Sequence, residues 1–140
     1  MTLTVGPTSD LGACLALRAT VFIEEQDVPE HEERDGRDHE AHHVLARLEG
    51  RPVGCARILI KGDTGKIGRV CVLREARGAG IGAALIEACL AFLRGQDGVS
   101  RAVLGSQTYA LGFYEKLGFA AFGPEYMDAG IPHRDMERAP

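Results

Sequence analysis

At 140 residues the chain is long enough for one domain with a true hydrophobic core and too short for two of ordinary size. Its 45% hydrophobic and 26% charged residues are those of a soluble globular protein, and a formal net charge of −4 without a basic block argues against nucleic-acid binding through phosphates. Met1-Thr2-Leu3-Thr4-Val5 carries neither a positive leader nor an apolar h-region, and no apolar run approaches the ~20 residues of a membrane helix, so a cytoplasmic protein away from the membrane is expected.

Residues 2–5 read as a short first strand. Pro7-Thr8-Ser9-Asp10 is a turn and helix cap, and Leu11, Cys14, Leu15, Arg18, Val21 and Phe22 follow at helical spacing. From 24 to 40 the chain is acidic and nearly without apolar residues, a loop or short polar helix. Its nine carboxylates stand against Arg34 and Arg37 alone, which suits either a solvated face or a patch that attracts a cationic amine. Val44, Ala46 and Leu48 alternate as a strand face. Glu49-Gly50-Arg51-Pro52 predicts a two-residue Gly-X turn, with 53–60 as the returning strand. Gly62-Asp63-Thr64-Gly65 turns again into a strand over 66–73.

A helix follows over 83–93. Ile81, Ala84, Leu85, Ala88, Cys89 and Phe92 share a face that Ile86, Leu90 and Leu93 widen until only Glu87 is charged, so the helix is mostly buried. Gly95-Gln96-Asp97-Gly98 ends it. Strand 101–104, helix 109–117 with Gly118 as its stop, and strands 119–122 and 133–138 complete the chain. With no repeat and no linker, residues 1–140 form one α/β domain: a mixed, largely antiparallel sheet with helices on both faces. Cys14, Cys55, Cys71 and Cys89 are unpaired in sequence and sit in apolar surroundings, which predicts buried free thiols. His42 and His43, near Asp38 and Glu40, lack a thiol or a spaced partner, and no metal site is expected.

The junction between strand 67–73 and its helix is Arg77-Gly78-Ala79-Gly80-Ile81-Gly82. Glycines let the backbone approach a ligand, and the first-turn N–H groups of a helix lack intrahelical partners and carry the positive end of its dipole. Strand, glycine turn and helix start together suit a phosphate or pyrophosphate, with Arg77 adding a cation at the rim. The plainer reading is a tight strand-to-helix corner. Gly80-Ile81-Gly82-Ala83 lacks the lysine and hydroxyl of a Walker loop, and the spacing G-x-G-x-G misses the dinucleotide fingerprint by one residue.

Downstream lies Ser106-Gln107-Thr108-Tyr109-Ala110-Leu111-Gly112-Phe113-Tyr114-Glu115-Lys116-Leu117-Gly118-Phe119. With both segments in view, the chain resembles the GNAT superfamily of N-acetyltransferases over essentially its whole length. Arg77-x-x-Gly80-x-Gly82 is similar to that family's acyl-CoA pyrophosphate motif, and the segment ending Phe113-Tyr114-Glu115-Lys116-Leu117-Gly118-Phe119 to its second motif. Gln107 stands where many members carry Asn. The acidic stretch, His42-His43 and Gly130-Ile131-Pro132-His133-Arg134-Asp135-Met136 resemble a small bacterial subgroup of mostly unassigned substrate.

The resemblance implies direct transfer of an acetyl group from acetyl-CoA to a primary amine of a small molecule or peptide, without a metal. A non-catalytic acyl-CoA binding or sensing module of the same fold is the alternative, and a homodimer is compatible with either. It places the pyrophosphate on Arg77, Gly78, Ala79, Gly80, Ile81 and Gly82. The pantetheine arm would lie along the backbone of Val70, Cys71 and Val72, and Gln107 and Tyr114 would complete the cofactor contacts. Tyr114 would protonate the departing thiolate; a phenol of pKa near ~10 can do so for a thiol near ~8.5 as charge develops. Read from the residues alone, an aromatic beside Phe113 on a helix is usually a core residue. For the base, Glu24, Glu25, His42, His43 and His133 are the candidates. In related acetyltransferases a His in the Pro-His-x-x-Met context serves, and the alternative for His133 is a structural role opening an edge strand. Glu24 and Glu25 are the expected contacts for a cationic acceptor.

Overall fold

Alternation along β2 (His42–Leu48) sends Val44 and Ala46 to one face of the sheet and Leu45 to the other, and the two sets join two separate cores. The computed structural model describes residues 2–140. Its other strands are β1 (Leu3–Thr8), β3 (Arg51–Lys61), β4 (Thr64–Val72), β5 (Arg101–Gln107), β6 (Ala120–Asp128) and β7 (Ile131–Arg138), in the order β1-β2-β3-β4-β5-β7-β6. Every neighbouring pair is antiparallel except β4–β5. The mixed, largely antiparallel sheet expected from the sequence is the one observed.

Helices cover both faces. The apolar face of α3 (Ile81–Arg94) buries Ile81, Leu85, Ile86, Cys89, Leu90 and Leu93 against Val44, Ala56, Ile58 and Ile67. Each such side chain contributes about 1.5–3 kcal/mol relative to exposure. On the opposite face α1 (Leu11–Arg18) seats Cys14 and Leu17 on Leu45, Cys55 and Cys71. Its start is fixed by Asp10, whose Oδ1 accepts the Ala13 N–H at 3.1 Å. Beyond Arg18 the helix continues with π-helical geometry over Ala19–Glu25, and short helices α2 (Glu30–Glu33) and α4 (Leu111–Lys116) complete the set. All four cysteines are buried free thiols, as expected.

Two local expectations change. The β2–β3 turn is centred on Glu49 and Gly50, not on Gly50 and Arg51: both have positive φ (52° and 80°), and Arg51 already belongs to β3. That is a type I′ turn, whose twist matches the strands it joins. The acidic stretch is not wholly solvated, because three of its carboxylates fold inward onto arginines. Arg18, 1% exposed, donates from Nη2 to Glu33 at 2.6 Å and from Nη1 to Asp38 at 2.6 Å. Arg57 of β3 donates to both oxygens of Asp35 at 2.9 Å, and Arg69 of β4 donates to Glu33 at 3.1 Å. The arginines lie on three elements remote in sequence, and together they pin residues 33–38 against the sheet.

The sheet is continuous at one end and split at the other. β4 and β5 pair only through Thr64↔Arg101, Gly65↔Ala102 and Lys66↔Val103. Beyond this point β4 stays with β3 and β5 with β7, so the parallel neighbours diverge. A bulge sharpens the divergence: between Cys55↔Cys71 and Arg57↔Gly68, the single residue Ala56 faces both Arg69 and Val70, and Arg69 takes φ 52°.

Candidate active site

The split between β4 and β5 opens a cavity of about 240 Å³. One wall is β4 from Lys66 to Val70, and the other is Leu104 to Gln107 of β5. Phe22 of the π-helical turn and Gln26 and Val28 just beyond it close one side, Tyr114 of α4 another, and Tyr126 and His133 of the β6–β7 hairpin a third. Four of the residues singled out in the sequence, Val70, Gln107, Tyr114 and His133, therefore share one cavity.

Tyr114 is half-buried, with Phe113 and Phe119 set edge-on to its ring at 4.9 and 6.1 Å between centroids. Burial, more than any neighbouring charge, pushes its phenol up to about 12, so at neutral pH it holds its proton. His133 sits with Nδ1 2.7 Å from the Ile131 carbonyl. A carbonyl only accepts, so Nδ1 carries the proton and Nε2 of the neutral ring keeps its lone pair. Tyr126 stacks on the imidazole at 5.9 Å and 25°, and its hydroxyl donates to Asp135 Oδ1 at 2.7 Å. Burial first and that carboxylate second push the Tyr126 phenol upward.

The glycine loop lies at the foot of α3. Gly80 is its N-cap with φ 77°, a conformation that favours glycine, and no side chain caps the helix. The first intrahelical bond is Ala84 N–H to Gly80 C=O at 3.1 Å, which leaves the amides of Ile81, Gly82 and Ala83 ahead of it. A Cβ on Gly78 or Gly80 would meet no atom within 4 Å, so the loop's outer side is open. Bare amides at an open helix start fit a pyrophosphate.

Contacts join loop to cavity. Arg77 donates from Nε to the Val72 carbonyl at 3.0 Å and holds Glu25 through two bonds of 2.7 and 2.8 Å. That guanidinium holds the Glu25 carboxyl below its ordinary range. Gln107 Nε2 donates to Gln26 Oε1 at 3.4 Å. Glu25 is thus spoken for by the loop, and neither it nor Glu24 lines the cavity. Cys71 turns into the α1-side core, 3.6 Å from Cys55 Sγ, and is packing. His42 lies on Phe92 at 4.7 Å and buried His43 places Nε2 2.9 Å from the Asp38 carbonyl, both outside the cavity. Among the described residues no group of three or more His, Cys, Asp or Glu could hold a metal ion, and no helix is long and apolar enough to cross a membrane.

Sequence reasoning missed Phe22, Gln26, Arg69 and Tyr126. Phe22 reads as one more apolar helix position, and nothing in the sequence marks the π-helical turn that presents it. Tyr126 had a signal: Gly123-Pro124 breaks the strand ahead of it, the composition of a bulge, and the β6–β7 register shifts there.

The architecture is that of acyl-CoA acyltransferases. An acyl-CoA N-acyltransferase from Pseudomonas aeruginosa superposes with a TM-score of 0.85 and 31% identity over 99% of both chains, and Escherichia coli ElaA with 0.84 and 30% over 98% of both. Residues 9–139 match the acetyltransferase (GNAT) domain, and the chain belongs to that family. The uncharacterized N-acetyltransferase YjcF of Bacillus subtilis is 39% identical over 121 residues, 86% of each chain.

Proposed function

We propose that this protein moves an acetyl group from acetyl-CoA directly to a primary amine of a small molecule or peptide. The observation that carries the reading is the split between β4 and β5: it leads from an uncapped helix start to a cavity holding a protonated phenol and an imidazole with a fixed tautomer. Acetyl-CoA supplies the acyl group as a thioester. The amides of Ile81, Gly82 and Ala83, with Gly78, Ala79, Gly80 and Arg77, hold its pyrophosphate. Val70 offers backbone groups where β4 has lost its β5 partner, the kind of edge an extended arm can pair with. Cys71 and Val72 shape that strand from the core side.

Joining nitrogen to the acyl carbon and releasing sulfur leaves two protons to manage. His133 Nε2 takes the one from the amine, directly or through a water, and Tyr114 gives its own to the departing thiolate. Gln107 holds the β5 side of the cleft against Gln26.

The test is release of free CoA from acetyl-CoA in the presence of pooled primary amines, followed with a thiol reagent. Amine-dependent release is expected, together with a mass gain of one acetyl group on the acceptor. Tight acetyl-CoA binding without release for any amine would identify a sensing module instead.

A further inference from the structure

We propose that the acceptor is a chain-like amine with an anionic group, carboxylate or phosphate, at its far end. Lys66 and Arg69 receive that anion where the cavity runs across Gly68 into a second depression. The inference rests on the acyl-transfer reading above and names the acceptor class of that same site.

A depression of about 130 Å³ adjoins the cavity and shares Lys66, Gly68 and Arg69 with it. It lies on β3 and β4, where Leu59 stands opposite Lys66 and Arg57 opposite Gly68. A Cβ on Gly68 would meet no atom within 4 Å, so the two spaces communicate over that residue. Arg37, Arg57, Lys66 and Arg69 line the depression against the single carboxylate of Asp35. Asp35 is already engaged, since Arg57 donates to both of its oxygens at 2.9 Å. Arg69 uses Nε and Nη2 on Glu33, Asp35 and two backbone carbonyls, which leaves Nη1, and its side chain is 25% exposed. Lys66 is exposed and has no hydrogen-bond or ion-pair partner among the described residues.

An unpaired ammonium beside the spare edge of a guanidinium is a donor set for carboxylate or phosphate. The ion network already fixes Arg69, so the anion would meet a donor held in place. Carboxylates enter the larger cavity instead, Glu32 from α2 and Asp128 from the hairpin that carries His133, and they suit the ammonium end of the acceptor. The register of the strands sets the length of that acceptor. Lys66 is level with Val103 and His133 with Gln107, and the run of β5 between those levels is roughly 13 Å. The lysine side chain shortens this span without closing it. An α-amino acid holds its carboxylate too near its nitrogen to reach both ends. An ω-amino acid, or a short peptide at ~3.3–3.6 Å per residue, reaches both.

Thiol-release kinetics with 6-aminohexanoate and with 6-aminohexanamide, which has the same shape without the charge, test the site. The parent should favour the carboxylate about tenfold in kcat/KM, chiefly through KM, and the preference should shrink as salt is added. Glycine should be a poor acceptor. Adding 6-aminohexyl phosphate tells the two anions apart, since the better substrate carries the group the site takes. Lys66→Met should erase the preference for charge and Lys66→Arg should keep it. Gly68→Val, at a position with room for a side chain, should narrow the passage and lower the preference as well. A parent that acetylates amines without favouring either charged one overturns the anion site alone, and so does a preference that survives Lys66→Met. A parent that releases no CoA with any amine of the pool overturns the transferase reading, and this inference with it.

Discussion

In the proposed transfer Tyr114 and His133 divide the two protons because one ring still holds its hydrogen at neutral pH and the other, with its Nδ1 hydrogen committed to the Ile131 carbonyl, offers a lone pair at Nε2. Tyr114→Phe keeps the edge-on packing with Phe113 and Phe119 and removes only the hydroxyl. Acetyl-CoA affinity should hold, and the chemical step, read by rapid quench in single turnover, should slow roughly a hundredfold. Parental rates in that variant would reduce Tyr114 to a core aromatic. His133→Ala should lower kcat/KM roughly a hundredfold at neutral pH, with added imidazole restoring part of the rate; a parental rate would pass the base role to another group. Glu25 belongs to the loop, so Glu25→Gln should leave the acceptor KM alone. It frees the Arg77 charge, and acetyl-CoA should bind more tightly at low ionic strength, with the gain fading as salt is added.

At the scale of elements, the strand–glycine–helix junction does the positioning, and its glycines are not equivalent. Gly80 needs its positive φ, so a β-branched residue there adds about 1–3 kcal/mol of backbone strain to any effect on binding. Gly82 has no such demand, and a Cβ there makes ordinary contact with Phe113. Gly82→Val should therefore fold normally and lose most acetyl-CoA binding, because its methyls crowd the first-turn amides; unchanged affinity by calorimetry would remove the phosphate from this loop. The junction was legible in the sequence, since strand, glycines and helix follow one another within a few residues. So were α3, Asp10 as a cap and Gly118 as a stop, all local signals. The β4–β5 split was not legible: it depends on how far a parallel pairing of strands nearly forty residues apart extends, and backbone pairing leaves no side-chain mark. The bulge at Arg69 and the π-helical turn escaped for the same reason, and with them most of the cavity wall.

Across the whole molecule, the buried ion network ties the loop that walls the cavity to both the sheet and α1. Arg18, Arg57 and Arg69 come from α1, β3 and β4, and Glu33, Asp35 and Asp38 from a single stretch of six residues, so six side chains hold four segments in register. Arg18 could be recognised in the sequence only as a charge on an apolar helix face, and its partners read as a solvated acidic run. Replacing the whole network with apolar residues would cost little, but removing one member strands the others. Arg18→Met should lower unfolding stability by about 3 kcal/mol or more and loosen the acceptor cavity, seen as a raised acceptor KM with acetyl-CoA affinity retained.

The same network sets the acid stability. Hydrogen bonds from Arg57 hold the Asp35 carboxyl well below the usual range; for Asp38, burial works upward but Arg18 and Arg57 outweigh it, and the net shift is also down. A carboxylate with a lowered native pKa contributes its stability in full above its unfolded value of about 3.9 and loses it as pH falls from there toward the native value. Stability from these two groups should therefore be flat from pH 7 to about 5 and decline below about 4, as the unfolded chain takes up protons before the folded one does. Asp38→Asn removes one such group. Urea unfolding should find that variant less stable than the parent at pH 7, with the gap narrowing at pH 3. A gap of constant size across that range would mean that Asp38 acts through its shape and hydrogen bonds rather than through its charge.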